Sequence, residues 1–138
     1  MNSRLKLALW VALAIVLAAG LGWLYGWSGG RSASTALETT RLRTSLLQAR
    51  VQLLDARVNI YSVNFGDASR NLEYCKPELT TARALLENAG RRDLVDKIDA
   101  ALRSTRAAQE LAAKLSQDAN GRAGEAASLV NDVLQATK

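Results

Sequence analysis

Apolar residues recur at alternating intervals of four and three along residues 47–89, the spacing of a helix face that packs against a neighbouring helix. This predicted seam comprises Leu47, Val51, Leu54, Val58, Tyr61, Phe65, Ala68, Leu72, Cys75, Leu79, Ala82, Leu86 and Ala89.

Gly66, directly before Asp67, is typical of a helix stop followed by an N-cap residue, so we predict a turn over residues 64–67. A single helix that continues through this point is the alternative. Pro77 is expected to kink or restart the second helix.

Turn and capping residues divide the rest of the chain into further helices. Thr35 and Glu38 have the spacing of a capping box, which predicts that a helix begins there. A helix stop is predicted at residues 88–90, Asp93 is the predicted N-cap of a third helix, and a further break is predicted at residues 120–121. The seam predicted for these last helices is Leu94, Ile98, Ala101, Thr105, Ala108, Ala112, Leu115, Ala119, Ala123, Ala126, Val130 and Val133. We therefore predict an all-α fold, with an antiparallel bundle or coiled-coil-like hairpins of three to four helices.

The N-terminal part has a different pattern, because residues 7–27 carry no charge and are almost wholly apolar. A helix of this length would extend for about 31 Å, which matches the hydrocarbon core of a bilayer. We therefore predict a single transmembrane helix at 7–27, preceded by a basic flank at 1–6 and followed by a linker at 28–35 and an extramembrane helical domain at 36–138. A secretory signal peptide that is cleaved near residues 34–36 is the alternative.

The predicted orientation in the membrane depends on the basic residues nearest to the apolar segment. Arg4, Lys6 and the N-terminal amine are crowded on one side, whereas Arg31, Arg41 and Arg43 are spread along the other. Basic residues concentrate on the cytoplasmic side of a membrane. The helical domain is therefore predicted to lie outside the cytoplasm, in the periplasm if the chain is bacterial.

Small residues follow one face of the apolar segment at every fourth position. They are Ala14, Ala18, Gly22 and Gly26. Small side chains allow two helix backbones to approach closely within lipid. We therefore predict that this face packs against another transmembrane helix.

Composition narrows the chemistry that the chain can perform. Its 138 residues include no histidine and a single cysteine, Cys75, so neither a zinc site with histidine ligands nor a nucleophile served by an imidazole base can be built. The formal net charge of +5 is dispersed along the chain, whereas a nucleic-acid-binding surface clusters its basic groups in a stripe. We predict no enzyme activity, no cofactor or metal, and no nucleic-acid partner.

Residues around the predicted turn resemble a tetratricopeptide-type helical hairpin. The residues that have the spacings of that family's packing positions are Ala56, Ala68, Leu72 and Cys75. Residues 64–68 also resemble the family's inter-helix turn. Asn59 stands where the family usually has an aromatic residue, its terminal proline is absent, and no second copy follows at the family's period of about 34 residues. The resemblance implies a protein-binding helical scaffold.

Together these patterns favour helix packing as the way in which the chain acts. We predict a membrane-anchored scaffold or assembly subunit, whose partners are the lipid bilayer and either another protein or a second copy of the chain. Tyr61, Phe65 and Leu72, near the predicted turn, are the candidate partner-binding residues. A lipid-associated or envelope sensor is the alternative function.

Overall fold

A computed structural model describes the backbone of residues 3–138 and the side chains of Trp10, Ile15, Val16 and residues 34–138. The chain divides into two compact units, Met1–Glu38 and Thr39–Lys138. The described backbone forms four α-helices. They are α1 (Ser3–Tyr61), α2 (Phe65–Asn88), α3 (Arg92–Ala113) and α4 (Ala119–Ala136). The predicted helical bundle is confirmed for this part of the chain.

The structure overturns the predicted transmembrane helix. Within the residues that it describes, no helix combines the length and the apolarity that a crossing of the bilayer requires. The part of α1 whose side chains are all described begins at residue 34, and its charged residues are Glu38, Arg41, Arg43, Arg50, Asp55 and Arg57. Such groups are costly in a hydrocarbon core about 30 Å thick. The predictions of a single-pass helix at 7–27, a membrane localisation and a helical domain outside the cytoplasm are corrected accordingly. Apart from Trp10, Ile15 and Val16, the side chains of residues 7–27 lie outside the described ones.

The second unit is an up-and-down bundle, because short connections at residues 62–64, 89–91 and 114–118 reverse the chain between consecutive helices. α2 packs against α3, and α3 packs against α4. α1 closes the arrangement against α4, where the Arg57 guanidinium donates to Asn120 Oδ1 at 3.0 Å. The four helices enclose one continuous apolar core.

The seam predicted for α1 lies on the wrong face of that helix. α1 contributes a different row to the core, namely Leu42, Leu46, Ala49, Leu53, Ala56 and Ile60. The predicted residues Leu47, Val51, Leu54, Val58 and Tyr61 are exposed to solvent. Both rows have the alternating spacing of a packed helix face, so periodicity alone does not distinguish the covered row from the open one.

The seams predicted for the other helices agree better with the structure. α2 buries Phe65, Ala68, Leu72, Cys75, Leu79, Ala82 and Leu86. The predicted seam residues of α3 and α4 are buried as well, except Leu115, which lies in the connection between these helices. Ala89, at the end of the α2 row, is also exposed.

The turn between α1 and α2 lies at residues 62–64, slightly before the predicted position of 64–67. Asn64, and not Asp67, is the N-cap of α2, and its side-chain oxygen accepts from the Asp67 backbone N–H at 3.4 Å. Gly66 belongs to the first turn of α2. The alternative of a single helix through this region is therefore wrong.

The remaining boundaries are partly as predicted. Gly90, with a φ of +71°, ends α2 in the left-handed conformation that glycine adopts without strain. Asp93 lies in the first turn of α3, whereas Arg91 occupies the N-cap. The break predicted at residues 120–121 is wrong, because those residues lie in the first turn of α4 and the connection is at 114–118.

Two helices end with a large apolar residue where glycine is the usual choice. At the end of α1 the Val63 N–H donates to the Ile60 carbonyl at 3.0 Å, and the next N–H donates to the Asn59 carbonyl at 2.8 Å. The same pair of bonds recurs around Gly90 and Leu115. Val63 and Leu115 have φ angles of 61° and 56°, which strain a side chain that has a Cβ, and a β-branched side chain most of all.

Val63→Gly should therefore raise the free energy of unfolding, by about 0.5 to 1 kcal/mol, since glycine removes the strain at the cost of some unfolded-state entropy. Chemical denaturation followed by circular dichroism measures the change. Gly90→Val, the reverse substitution in the same kind of helix end, is the matched control and should be destabilising. A Val63→Gly chain less stable than the natural one would contradict the assigned strain.

Candidate protein-binding face

A row of exposed apolar side chains follows the solvent face of α1. We call this row the α1 stripe, and its members are Leu47, Val51, Leu54, Val58 and Tyr61. Their exposed fractions run from 39% at Leu54 to 82% at Tyr61. The other side of the helix packs fully buried residues such as Leu53 and Ile60 into the core. α1 is therefore apolar on two sides, and the described part of the chain covers one of them.

Charged residues border the stripe on both edges. Arg43, Arg50 and Arg57 follow at intervals of seven along the edge nearer to α4, where Arg57 bonds to Asn120. The edge nearer to α2 carries Arg41, Gln48 and Asp55 at the same interval of seven, and Gln48 lies beside Glu78. The edge nearer to α4 is therefore basic, whereas the edge nearer to α2 is of mixed charge, with Arg41 at one end and Asp55 at the other.

Shallow grooves run along both edges of the stripe. The groove between α1 and α2 is lined by Leu47, Gln48, Val51, Gln52, Tyr74, Pro77 and Glu78. The groove between α1 and α4 is lined by Leu54, Arg57, Val58, Tyr61 and Asn120. The stripe is thus a ridge between two grooves, a surface relief that suits the packing of another helix.

The stripe continues onto the end of the bundle through the two strained residues. Val63 and Leu115 are 66% and 69% exposed. Their turns meet there, because the Gln117 side-chain amide donates to the Ile60 carbonyl at 3.0 Å. Apolar exposure and backbone strain therefore coincide next to Tyr61, and local strain in a folded protein tends to gather at functional sites.

The structure separates the candidate residues that the sequence suggested. Tyr61 belongs to the stripe, whereas Phe65 and Leu72 are buried in the core. The side chains of the small-residue row, Ala14, Ala18, Gly22 and Gly26, lie outside the described residues. The other stripe residues were predicted to lie in the core and not on a binding surface. The sequence does contain a second apolar row between residues 42 and 60, which indicates that one of the two rows on α1 faces solvent.

Arg83 of α2 forms ion pairs both with α3 and within its own helix. Arg83 Nε donates to Asp99 Oδ1 at 2.7 Å, and its Nη1 donates to Glu87 Oε2 at 2.8 Å. The bond to Asp99 is the main reason why the pKa of Arg83 is raised. Within the described residues, no group of histidine, cysteine, aspartate and glutamate side chains is arranged to hold a metal ion.

Cys75 is a core residue of α2. Its thiol is fully buried, and burial raises its pKa to about 12. The neighbouring Thr105 hydroxyl, also fully buried, donates to the Ala101 carbonyl at 2.8 Å. A thiolate is the reactive form of cysteine, so this thiol is unreactive at neutral pH in the folded chain.

No family model, curated protein or solved structure matches the chain. The resemblance of residues 56–75 to a tetratricopeptide hairpin therefore stays a prediction.

Proposed function

We propose that the chain is a helical scaffold or assembly module that binds another polypeptide through the α1 stripe. The observation that supports this most strongly is a complete exposed apolar row on a helix whose opposite side already fills the core. Burial of such side chains is favourable by about 25 cal/mol per Å² of apolar surface, and a row at this spacing is the surface that a partner helix covers.

The two strained residues support the same proposal. Glycine at Val63 or Leu115 would relieve the backbone, yet both positions hold large side chains that gain little from the core, since both are mostly exposed. Direct contact with a partner gives such side chains a role. The resemblance to a tetratricopeptide hairpin also agrees with a protein-binding scaffold.

Site-specific photo-crosslinking in the cells that make the full chain tests the proposal. A photoreactive amino acid at Leu54 should form a discrete covalent adduct with another polypeptide, because Leu54 lies in the middle of the stripe. The matched control places the same amino acid at Arg106, an exposed position on α3. Equal labelling at the two positions, or no adduct from Leu54, Val58 or Tyr61, would contradict the proposed function.

A further inference from the structure

We infer that the partner on the α1 stripe is a second copy of this chain, packed against the first as a parallel two-helix coiled coil along residues 44–61. This assignment rests on the proposed function and names its partner. It follows from the residue types within the stripe and from the charges on its two edges.

The residue types on the stripe are those of a parallel dimer. In heptad terms, Thr44, Val51 and Val58 occupy successive a positions, and all are β-branched. The d positions hold Leu47, Leu54 and Tyr61. β-branched residues at a with leucine at d favour a parallel pair of helices, because the two positions present their side chains to the partner at different angles.

The edge charges complement each other only between parallel copies. Arg43, Arg50 and Arg57 occupy g positions, and Arg41, Gln48 and Asp55 occupy e positions. In a parallel pair each g residue faces the e residue of the following heptad in the other helix. Arg50 then meets the Asp55 of the second copy, and the two-fold axis makes this contact twice. Arg43 meets Gln48, beside which Glu78 lies.

An antiparallel pair would place like charges together. Its g positions face g positions, so the arginine row of one copy would lie along the arginine row of the other. Like charges at such positions are destabilising. The distribution of charge on α1 therefore selects the parallel arrangement and with it the relative direction of the two bundles.

The edge residues are available for these contacts. Within the described part of the chain, no ion pair involves Arg43, Arg50 or Asp55. All three are exposed. New pairs across the dimer would therefore form without breaking existing ones.

Sedimentation equilibrium of the purified full chain tests whether two copies associate. We expect a monomer–dimer equilibrium, and Val51→Glu together with Val58→Glu should raise the dissociation constant roughly a hundredfold, since charges would enter the centre of the interface. Arg106→Gln is the control on α3 and should change it less than about twofold. Circular dichroism should show the same helix content in all three chains. A strictly monomeric chain, or a dimer that the double substitution leaves intact, would overturn the inference.

Charge exchange tests the direction of the two helices. Arg50→Glu and Asp55→Arg should each weaken the dimer by about threefold to tenfold, and the two together should restore it. Tighter or unchanged association of the Arg50→Glu chain would overturn the parallel arrangement, because that substitution removes like-charge contacts from an antiparallel one.

Disulfide trapping provides a second test of direction. Leu47→Cys and Val58→Cys chains, mixed in equal amounts and oxidised, should form only like-with-like disulfides in a parallel dimer. An antiparallel dimer would join Cys at position 47 to Cys at position 58, because its d positions face a positions. The native Cys75 does not compete, since its thiol is fully buried.

The photo-crosslinking adduct separates this inference from the proposed function. An adduct of twice the 14.9 kDa of one chain supports both. An adduct of another mass supports a protein-binding stripe and overturns the second copy. The absence of any stripe-specific adduct overturns both.

Discussion

Leu53→Asn should lower the free energy of unfolding by about 4 kcal/mol, whereas Leu54→Asn should lower it by only about 1 to 1.5 kcal/mol. The two leucines are adjacent in α1, but Leu53 is fully buried and Leu54 is 39% exposed. At Leu53 the substitution removes apolar contacts, leaves space and buries an amide that lacks hydrogen-bond partners. At Leu54 it lowers helix propensity and removes only part of a side chain's apolar burial, since the residue is already partly exposed.

Urea denaturation of both variants measures the difference. The comparison is best made in a chain that also carries Val58→Glu, because stabilisation by a bound second copy would otherwise be added to the intrinsic stability. Helix propensity cancels between the two variants, since both introduce asparagine into the same helix. Equal destabilisation would mean that α1 turns a different face to the core.

This pair of leucines shows why the sequence did not reveal which face of α1 is buried. The exposed row consists of leucine, valine and tyrosine, whereas the core row includes Ala49 and Ala56. By hydrophobicity alone the two rows are therefore nearly equal candidates for the core. Alanine is buried here because it lets neighbouring helices approach α1 closely, and that geometry depends on the other helices.

The α2 row was predictable because that helix has only one apolar face. Its other positions carry charged residues such as Glu73, Lys76 and Arg83, and the lysine bond holds the pKa of the Glu73 carboxyl below its ordinary value. A helix with one apolar face has one way to pack in water. The candidate partner-binding residues near the turn therefore lie in different environments. Tyr61 lies on the exposed face of α1, and Leu72 lies on the buried face of α2.

Turn positions were harder to predict where glycine is missing. The connection at residues 114–118 contains no glycine, and Leu115 adopts the left-handed conformation instead. Gly121, the residue that suggested a break, lies within α4 with open space beside it. A glycine near a helix start costs little, so its presence there carried no information about the chain reversal.

The stability of the folded chain should decrease between pH 9 and pH 12 because of Cys75. Burial raises the pKa of this thiol from about 9 to about 12. Below pH 9 the thiol is protonated in both the folded and the unfolded chain, so the stability is unaffected. Above pH 9 the unfolded chain loses the proton while the folded chain retains it, which favours unfolding by about 1.4 kcal/mol for each pH unit until the folded pKa is reached.

Denaturant titrations at pH 8.5 and pH 10.5 should show this group's contribution falling by about 2 kcal/mol between the two values. Cys75→Ala is the matched control, since it changes no other ionisable side chain. The stability advantage of the natural chain over Cys75→Ala should shrink by that amount at the higher pH. If both chains lost the same stability between the two pH values, the core would tolerate the Cys75 thiolate. That result would contradict the close packing of Cys75 against Thr105 of α3.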